Sequence, residues 1–378
     1  MGSGRSEPDW AGLQPELVAI ICEKASITIT RYIHLRLVCK AWRKALTRPR
    51  NLSPQSPWLL LPRIREGSNQ SDELIFYDPF QSKTHRFRSP YVRGKYFCGS
   101  SYGWLVLEHD LKFSLFNPIT QCTIDLPSFN VPANFVNYDI MGRIARKVIL
   151  SANPSEEGCV VVAWFRFCAN WELDFCRIGD THWTGLMVNK RQHLLDFVCR
   201  ENLVYVVNEE KKVSIYDLRD LSVRTFPSEI EYIGGEHILR FERIYLVHGD
   251  SESGELLVVR RINKICTTKE VLVYKWLDDR QQWCQVQNIG KQVFFLNNIH
   301  CINLQLMEGQ DDRRGNELFY DVRRNLSDST PTYERCFHVG INHVDLNSGT
   351  HVSLDRSPTE VFPFDVFDSP TWVTPSLI

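Results

Sequence analysis

The stretch Phe113-Ser114-Leu115-Phe116-Asn117-Pro118 decides the fold, because recognisable variants of it recur along the chain. Each copy is a short apolar run followed by Asp or Asn, often with Pro, and then by a second run ending near Leu-Pro or its equivalent. Asp or Asn at the first turn position caps the turn through its side chain, and Pro at the next position presets φ. Each copy therefore predicts a β-hairpin.

Six copies of this hairpin predict a propeller. The clear copies begin at Leu74, Phe113, Val213 and Ile341, and the weaker ones occupy Leu173–Leu186 and Leu272–Val286. Their spacing of about 40 to 70 residues is typical of four-stranded propeller blades. A single blade cannot bury both of its faces, so the blades stack radially. We therefore expect a mainly β protein whose propeller has six blades, with seven as the alternative.

The first fifty residues follow a helical pattern instead. Pro15 and Glu16 favour a helix start, since Pro suits the first helical position and a carboxylate suits the positive end of the helix dipole. A last helix is predicted from a continuous apolar stripe formed by Leu35, Val38, Cys39, Trp42 and Leu46. Three short helices are thus expected between Trp10 and Leu46. So small a unit buries too little surface to be stable alone and is expected to contact a partner or the following domain.

Charge and composition narrow the classes of partner. The formal net charge is −1 over 378 residues, so no global field favours nucleic acid or a membrane surface. The longest apolar runs are too short to span a bilayer. From Ala25 to Arg65 the chain has nine Lys or Arg residues and no Asp or Glu. This segment is either a solvated helix face or a docking surface for an acidic partner.

No residue pattern predicts a metal, a cofactor or catalysis. The 12 Cys are scattered, without C-x-x-C pairs or zinc-ligand spacing. Since Met1–Asp9 lacks the apolar core of a signal peptide, we expect the protein in the cytoplasm and/or nucleus, with every thiol reduced.

Gly99-Ser100-Ser101-Tyr102-Gly103 matches G-x-S-x-G, the motif of a hydrolase nucleophile elbow. Trp104–Leu107 after it is predicted to be a strand, whereas a hydrolase elbow requires a helix there.

Two segments of the helical unit resemble the F-box family. Leu13–Leu17 is similar to the L-P-x-E-L opening of an F-box, with the proline one place later, and Val38–Ala45 is similar to its V-C-K-x-W-R-x-A ending. The resemblance implies binding to the adaptor subunit of an SCF-type (cullin–RING) ubiquitin ligase and, through the adaptor, to the cullin. Some of the matching residues would hold the helices together and others would face the adaptor; they are Leu13, Pro15, Leu17, Ile20, Ile21, Val38, Cys39 and Trp42.

The β-rich remainder resembles the KIB-type β-propeller found after F-boxes in many plant proteins. The resemblance rests on Pro57–Pro62, Cys98–Leu105 and Trp372–Leu377. Together the two resemblances imply an F-box helical domain at 8–50 and a KIB-type propeller at 57–378, with the propeller binding a target protein for ubiquitylation. The alternative is a non-degradative binding module whose F-box is structural or vestigial, and an enzyme built on the propeller is a third interpretation.

Target binding is expected on the loops of the propeller, because stacking consumes the blades themselves. The candidate loops are Ser228–His237, Asp250–Glu255 and Glu308–Asn316. The third contains Asp311, Asp312, Arg313 and Arg314, which can form charge-assisted hydrogen bonds of both signs.

Ring closure requires strands from both ends of the β region, because an unpaired sheet edge invites aggregation. Trp58–Leu61 and Val361–Phe367 are apolar enough to supply such strands.

Overall fold

The computed structural model describes most of the chain. The described residues are 12–24, 32, 35, 38–46, 56–63, 65–66, 69–129, 145–167, 170–186, 194–230, 240–249, 254–264, 267–297, 300–306, 315–325, 336–353, 361–363 and 370–376. Two α-helices, α1 (Pro15–Lys24) and α2 (Lys40–Ala45), precede a β region in this part of the chain. Neither helix has the length and apolar content that crossing a bilayer requires.

Six sheets form the six blades of a β-propeller. Blade 1 contains β1 (Trp58–Leu60), β4 (Glu73–Asp78), β5 (Lys83–Arg88) and β28 (Thr371–Val373), with a small hairpin of β2 (Arg65–Glu66) and β3 (Asn69–Gln70) inserted after β1. Blade 2 contains β6 (Tyr96–Ser101), β7 (Trp104–His109), β8 (Lys112–Phe116) and β9 (Thr123–Asp125). Blade 3 contains β10 (Ala145–Leu150), β11 (Val160–Phe167), β12 (Asn170–Arg177) and β13 (Thr184–Leu186).

The second half of the ring has longer strands. Blade 4 contains β14 (Leu194–Arg200), β15 (Leu203–Asn208), β16 (Val213–Asp217) and β17 (Val223–Thr225). Blade 5 contains β18 (Arg240–His248), β19 (Leu256–Lys264), β20 (Thr267–Leu277) and β21 (Gln282–Val286). Blade 6 contains β22 (Gln292–Leu296), β23 (Cys301–Gln305), β24 (Glu317–Asn325), β25 (Cys336–Asp345), β26 (Thr350–Ser353) and β27 (Val361–Pro363), and its β22 and β24 run parallel.

All six predicted hairpins are confirmed, and each is the outer strand pair of one blade. The side chains at the turns act as expected. The Asp78 carboxylate accepts hydrogen bonds from the N–H groups of Phe80 and Gln81 at 2.9 and 3.0 Å. Asn117 accepts the equivalent pair at 2.9 and 3.1 Å. The Asx residue thus fixes where these two outer hairpins turn.

The ring closes through β1 and β28, in antiparallel register with Trp58 opposite Val373. The prediction that Trp58–Leu61 supplies one closing strand is confirmed over Trp58–Leu60. The prediction for Val361–Phe367 is wrong, because Val361–Pro363 pairs with β25. β26 covers only the last four residues of the longer β25, so the start of β25 is open to this second partner.

The N-terminal unit differs from the expected three helices. The stripe from Leu35 to Leu46 is not one helix, because Cys39 is extended, with φ −159° and ψ 172°. The Cys39 side-chain sulfur accepts a hydrogen bond from the Trp42 N–H at 3.4 Å and caps the start of α2. Tyr32, Leu35 and Val38 are helical, but the residues between them lie outside the described part, so a third helix is not confirmed.

Candidate partner-binding surfaces

The helical unit has a small core of its own. Val18 of α1 and Trp42 of α2 are buried against Tyr32 and Leu46, with Leu13, Leu35, Cys39 and Ala45 partly buried around them. The Tyr32 hydroxyl donates a hydrogen bond to the Leu46 carbonyl oxygen. This core holds the start and the end of the unit together.

The same unit exposes a row of large apolar side chains. Leu17, Ile20 and Ile21 are 48%, 46% and 43% exposed, and Val38 is 50% exposed. The first three stand at positions i, i+3 and i+4 of α1 and therefore share one face of that helix. None of the three belongs to the core around Val18, so the unit's own core leaves this face largely uncovered.

The structure separates the eight motif residues into two groups. Pro15 is exposed together with the apolar row, whereas Trp42 is buried and Leu13 and Cys39 are half-buried in the small core. Lys40, Arg43 and Lys44 are exposed on α2, in agreement with a solvated or docking basic face. The geometry can thus offer an apolar surface with basic residues on the neighbouring helix.

A second surface is a cleft between blades 4 and 5, with a volume of about 520 Å³. Its blade 4 side is lined by Tyr205, Ile215 and two residues of β17, Arg224 and Thr225, and its blade 5 side by Lys275–Asp279. Phe226 stacks on Trp276 with ring centroids 4.2 Å apart, which gives the cleft an aromatic wall. Its volume lies within the range of about 300–1,000 Å³ that is usual for ligand sites.

The predicted target-binding loops are only partly described. Asp311, Asp312, Arg313 and Arg314 lie outside the described residues, so their role stays a prediction. Gly254 and Glu255, at the end of the Asp250–Glu255 loop, line the cleft. Pro227, which immediately precedes the Ser228–His237 loop, also lines it. Two of the three candidate loops therefore border one cavity.

A buried ion pair links the inner strands of neighbouring blades. The Lys147 ammonium of blade 3 lies 2.5 Å from an Asp196 carboxylate oxygen of blade 4 and donates to the Phe197 carbonyl oxygen at 2.7 Å. The other Asp196 oxygen accepts from the Leu246 N–H of blade 5 at 2.9 Å. Burial raises the pKa of Asp196, although the Lys147 ammonium opposes this shift. Because all these atoms have partners, the pair serves to join three blades.

Two histidines with buried ring nitrogens lie on blades 5 and 6: His248 is half-buried and His300 is buried. Burial and the nearby Arg200 guanidinium lower the pKa of His248 to about 4. Burial and the Lys147 ammonium lower the pKa of His300 to about 3. Both imidazoles are therefore neutral near pH 7.

The G-x-S-x-G match lies in a hairpin between two strands, β6 and β7. The Ser101 hydroxyl oxygen accepts the Leu150 N–H at 3.2 Å, which ties blade 2 to blade 3. A side chain at Gly103, where φ is +83°, would collide with Ser376. The motif thus forms a tight turn rather than a hydrolase elbow. Across the described residues, no group of three or more His, Cys, Asp or Glu side chains is arranged to hold a metal ion.

Sequence reasoning missed both the inner ion pair and the cleft. Lys147 and Asp196 follow irregularities in the strand register, at Ala145/Lys147 and Leu194/Asp196. The sequence signal that could have indicated the ion pair is a charged residue inside an otherwise apolar strand. The cleft combines residues from two blades, and no local pattern marks it.

The fold and the exposed helical face together define a β-propeller protein with an N-terminal helical unit suited to binding a partner. The model of the KIB1-4 beta-propeller family matches residues 76–335, so the chain belongs to this family.

Its relatives include F-box proteins of Arabidopsis thaliana. The chain is 24% identical over 257 residues to F-box/kelch-repeat protein At3g18720, covering 64% of this chain and 62% of that protein. It is 23% identical over 300 residues to F-box/kelch-repeat protein KIB1, covering 75% and 72%. It is 22% identical over 362 residues to F-box protein At2g26160, covering 85% and 98%. The chain therefore spans less than two thirds of the first of these relatives and more of the other two.

Proposed function

We propose that this chain is the substrate-recognition subunit of an SCF-type (cullin–RING) ubiquitin ligase. The helical unit binds the adaptor subunit and, through it, the cullin, while the propeller binds the protein to be ubiquitylated. The observation that carries the proposal is the exposed apolar face of α1 at Leu17, Ile20 and Ile21. It occurs in a chain whose relatives are named F-box proteins.

The exposure of this face supports adaptor binding over a purely structural helical unit. A structural cap would place its large apolar side chains against the propeller, because burying them is favourable by about 1.5–3 kcal/mol each. In the full chain, however, Leu17, Ile20 and Ile21 keep nearly half of their surface in solvent. A contiguous apolar patch of this kind marks a binding surface.

The proposed role is non-catalytic, since binding the target near the rest of the ligase is sufficient for it. The proposed compartment is the cytoplasm and/or nucleus. Free thiols support this assignment: eight cysteines of the described part are unpaired, and four of them, including Cys176 and Cys199, are buried. Burial raises the pKa of the Cys176 and Cys199 thiols, so they remain protonated and unreactive.

Affinity purification from cells of the source organism tests the proposal. The tagged full chain should recover the adaptor and the cullin, and a Leu17→Lys/Ile21→Lys variant should recover neither. Proteins that accumulate when the gene is removed should return to normal abundance with the wild-type chain only. Equal recovery of the adaptor by both chains, or equal rescue of protein abundance, would contradict the proposal.

A further inference from the structure

The outer edge of blade 4 is open toward the cleft between blades 4 and 5. Strand β17 is the last of the four strands in its sheet, and its Arg224 and Thr225 line the cleft. The Asp217 N–H donates to the Ser222 carbonyl oxygen at 3.0 Å. Because antiparallel pairing alternates, the backbone groups of Val223 and Thr225 face away from β16. This edge can therefore hydrogen-bond another strand.

The edge of β17 carries less charge than the edge of blade 1, since Arg224 is the one charged residue of this strand. Leu221 and Val223 are 50% and 57% exposed at this edge. The equivalent edge strand of blade 1, β5, carries Lys83, Arg86 and Arg88. Charged residues, lysine above all, discourage strand addition, and exposed apolar residues favour it.

The two walls of the cleft carry opposite charges. Lys275 and Glu255 form an ion pair across the blade 5 side and neutralise each other. One Asp278 carboxylate oxygen accepts the Trp276 indole N–H at 2.8 Å, and within the described part of the chain no basic side chain pairs with Asp278. Likewise, among the residues that the structure describes, no carboxylate lies within ion-pair distance of Arg224 on the blade 4 side. Asp279 also lines the cleft, but its carboxylate lies 3.7 Å from the Arg280 guanidinium. Arg224 and Asp278 are thus the charged side chains of the cleft that are left for a ligand.

We infer that the cleft binds an extended segment of the target protein, which adds to β17 as a fifth strand of blade 4. This inference rests on the proposed function and names the site that recognises the substrate. Backbone hydrogen bonds to Val223 and Thr225 hold the segment, as in other cases of strand addition. An acidic side chain of the segment faces Arg224, a basic side chain faces Asp278, and an apolar side chain lies against the aromatic wall.

Selection from a displayed library of random peptides tests the charge pattern, using the purified full chain without the adaptor. Wild type should enrich peptides that combine an acidic, an apolar and a basic residue. Arg224→Glu and Asp278→Lys should each weaken binding of these peptides about tenfold or more. The matched control Lys83→Glu, on the edge of blade 1, should bind as wild type does. The double variant Arg224→Glu/Asp278→Lys should enrich peptides with the two charges exchanged.

Val223→Pro tests the backbone contact. Proline removes an N–H group that faces outward and that the pairing with β16 does not use, so blade 4 should keep its thermal transition. Peptide binding should fall about tenfold. The inference is overturned if no peptide is enriched, or if enriched peptides bind all these variants equally well. A dimer in light scattering that Val223→Pro abolishes would assign the edge to a second copy of the chain and also overturn it.

Adaptor affinity, measured on the same variants, separates this inference from the proposed function. The cleft variants should bind the adaptor normally. If the adaptor fails to bind wild type while peptides bind the cleft, the proposed function is wrong and the cleft assignment stands. If the adaptor binds but the cleft variants leave peptide binding unchanged, only the cleft assignment is wrong.

Discussion

The propeller buries most of its large apolar side chains, whereas the helical unit leaves several of its own exposed. Every blade of the propeller packs against two neighbours, and the pairing of β1 with β28 leaves no free end in the ring. The helical unit has two described helices, of ten and six residues. Its small core covers only the side of α1 that carries Val18. The difference shows that an apolar residue in the propeller mostly indicates packing, whereas apolar spacing on α1 marks both a buried residue, Val18, and the exposed face to which we assign the adaptor.

Removing residues 371–378 should have the largest effect, because it deletes β28 and leaves the edge of β1 opposite β4 without a partner. We expect the truncated chain to be insoluble, since an exposed apolar strand edge promotes aggregation. Sedimentation after expression measures this outcome. Removing only residues 377–378 is the control and should leave the protein soluble. A soluble longer truncation that melts cooperatively would show that the ring does not depend on this seam.

Replacing one buried tryptophan in each region by alanine should show whether the propeller and the helical unit unfold independently. Trp372 is buried in the seam, where its indole N–H donates to the Leu296 carbonyl oxygen at 2.9 Å. Trp372→Ala should lower the propeller's free energy of unfolding by about 3–5 kcal/mol. Trp42→Ala should unfold the helical unit and leave the propeller's transition unchanged. Chemical denaturation followed by circular dichroism distinguishes the two. A common shift in both variants would mean that the regions unfold as one unit.

Acidification should destabilise the propeller through His248 and His300, whose ring nitrogens are buried. Because the pKa values of His248 and His300 are lowered to about 4 and about 3, their stabilising contribution is complete above about pH 6.5, the usual pKa of histidine. It is lost as the pH falls toward the lowered values, by about 2 kcal/mol for each histidine at pH 5. Melting curves between pH 7 and 5 should be less pH-dependent in His300→Gln than in wild type. His109→Gln, at an exposed position, is the control; an equal pH dependence in all three proteins would refute this account.

Asn117→Ala should have a smaller effect, confined to blade 2 and the chain end. The Asn117 amide caps its turn and donates a hydrogen bond to the Ser376 carbonyl oxygen at 3.0 Å. Loss of the Asn117 amide should lower the free energy of unfolding by about 1–2 kcal/mol. Asp217→Ala, at the more exposed turn of blade 4, should cost less. Equal losses in the two variants, measured by thermal unfolding, would contradict a special role for the contact with Ser376.

The hairpins could be predicted because their signal is local. Asp78, Asn117 and Asp217 each combine a strand with a turn-capping side chain within a few residues. The closing strand could not be identified, because β28 has only three residues and Val361–Phe367 is the longer apolar run. Packing against blades 1 and 6, rather than composition, determines which segment closes the ring.

The sequence indicates which residues belong to the helical motif, but it does not indicate which of them are exposed and which are buried. Apolar spacing marks both Leu17 and Val18, yet only the contacts with Trp42 show that Val18 is the buried one. The Cys39 cap breaks the apparent stripe at a position that helical spacing does not reveal. Arg224 and Asp278 meet in one cleft only because blades 4 and 5 are neighbours.

The affinity of the purified full chain for the adaptor tests the central claim most directly. Isothermal titration should show binding by wild type and by Val223→Lys, which places the same charge at an exposed apolar position on the propeller. Leu17→Lys/Ile21→Lys should lose detectable binding while its circular dichroism and propeller transition stay unchanged. Undiminished adaptor affinity in this folded double variant would contradict the account, because the exposed face of α1 would then not be the adaptor-binding surface.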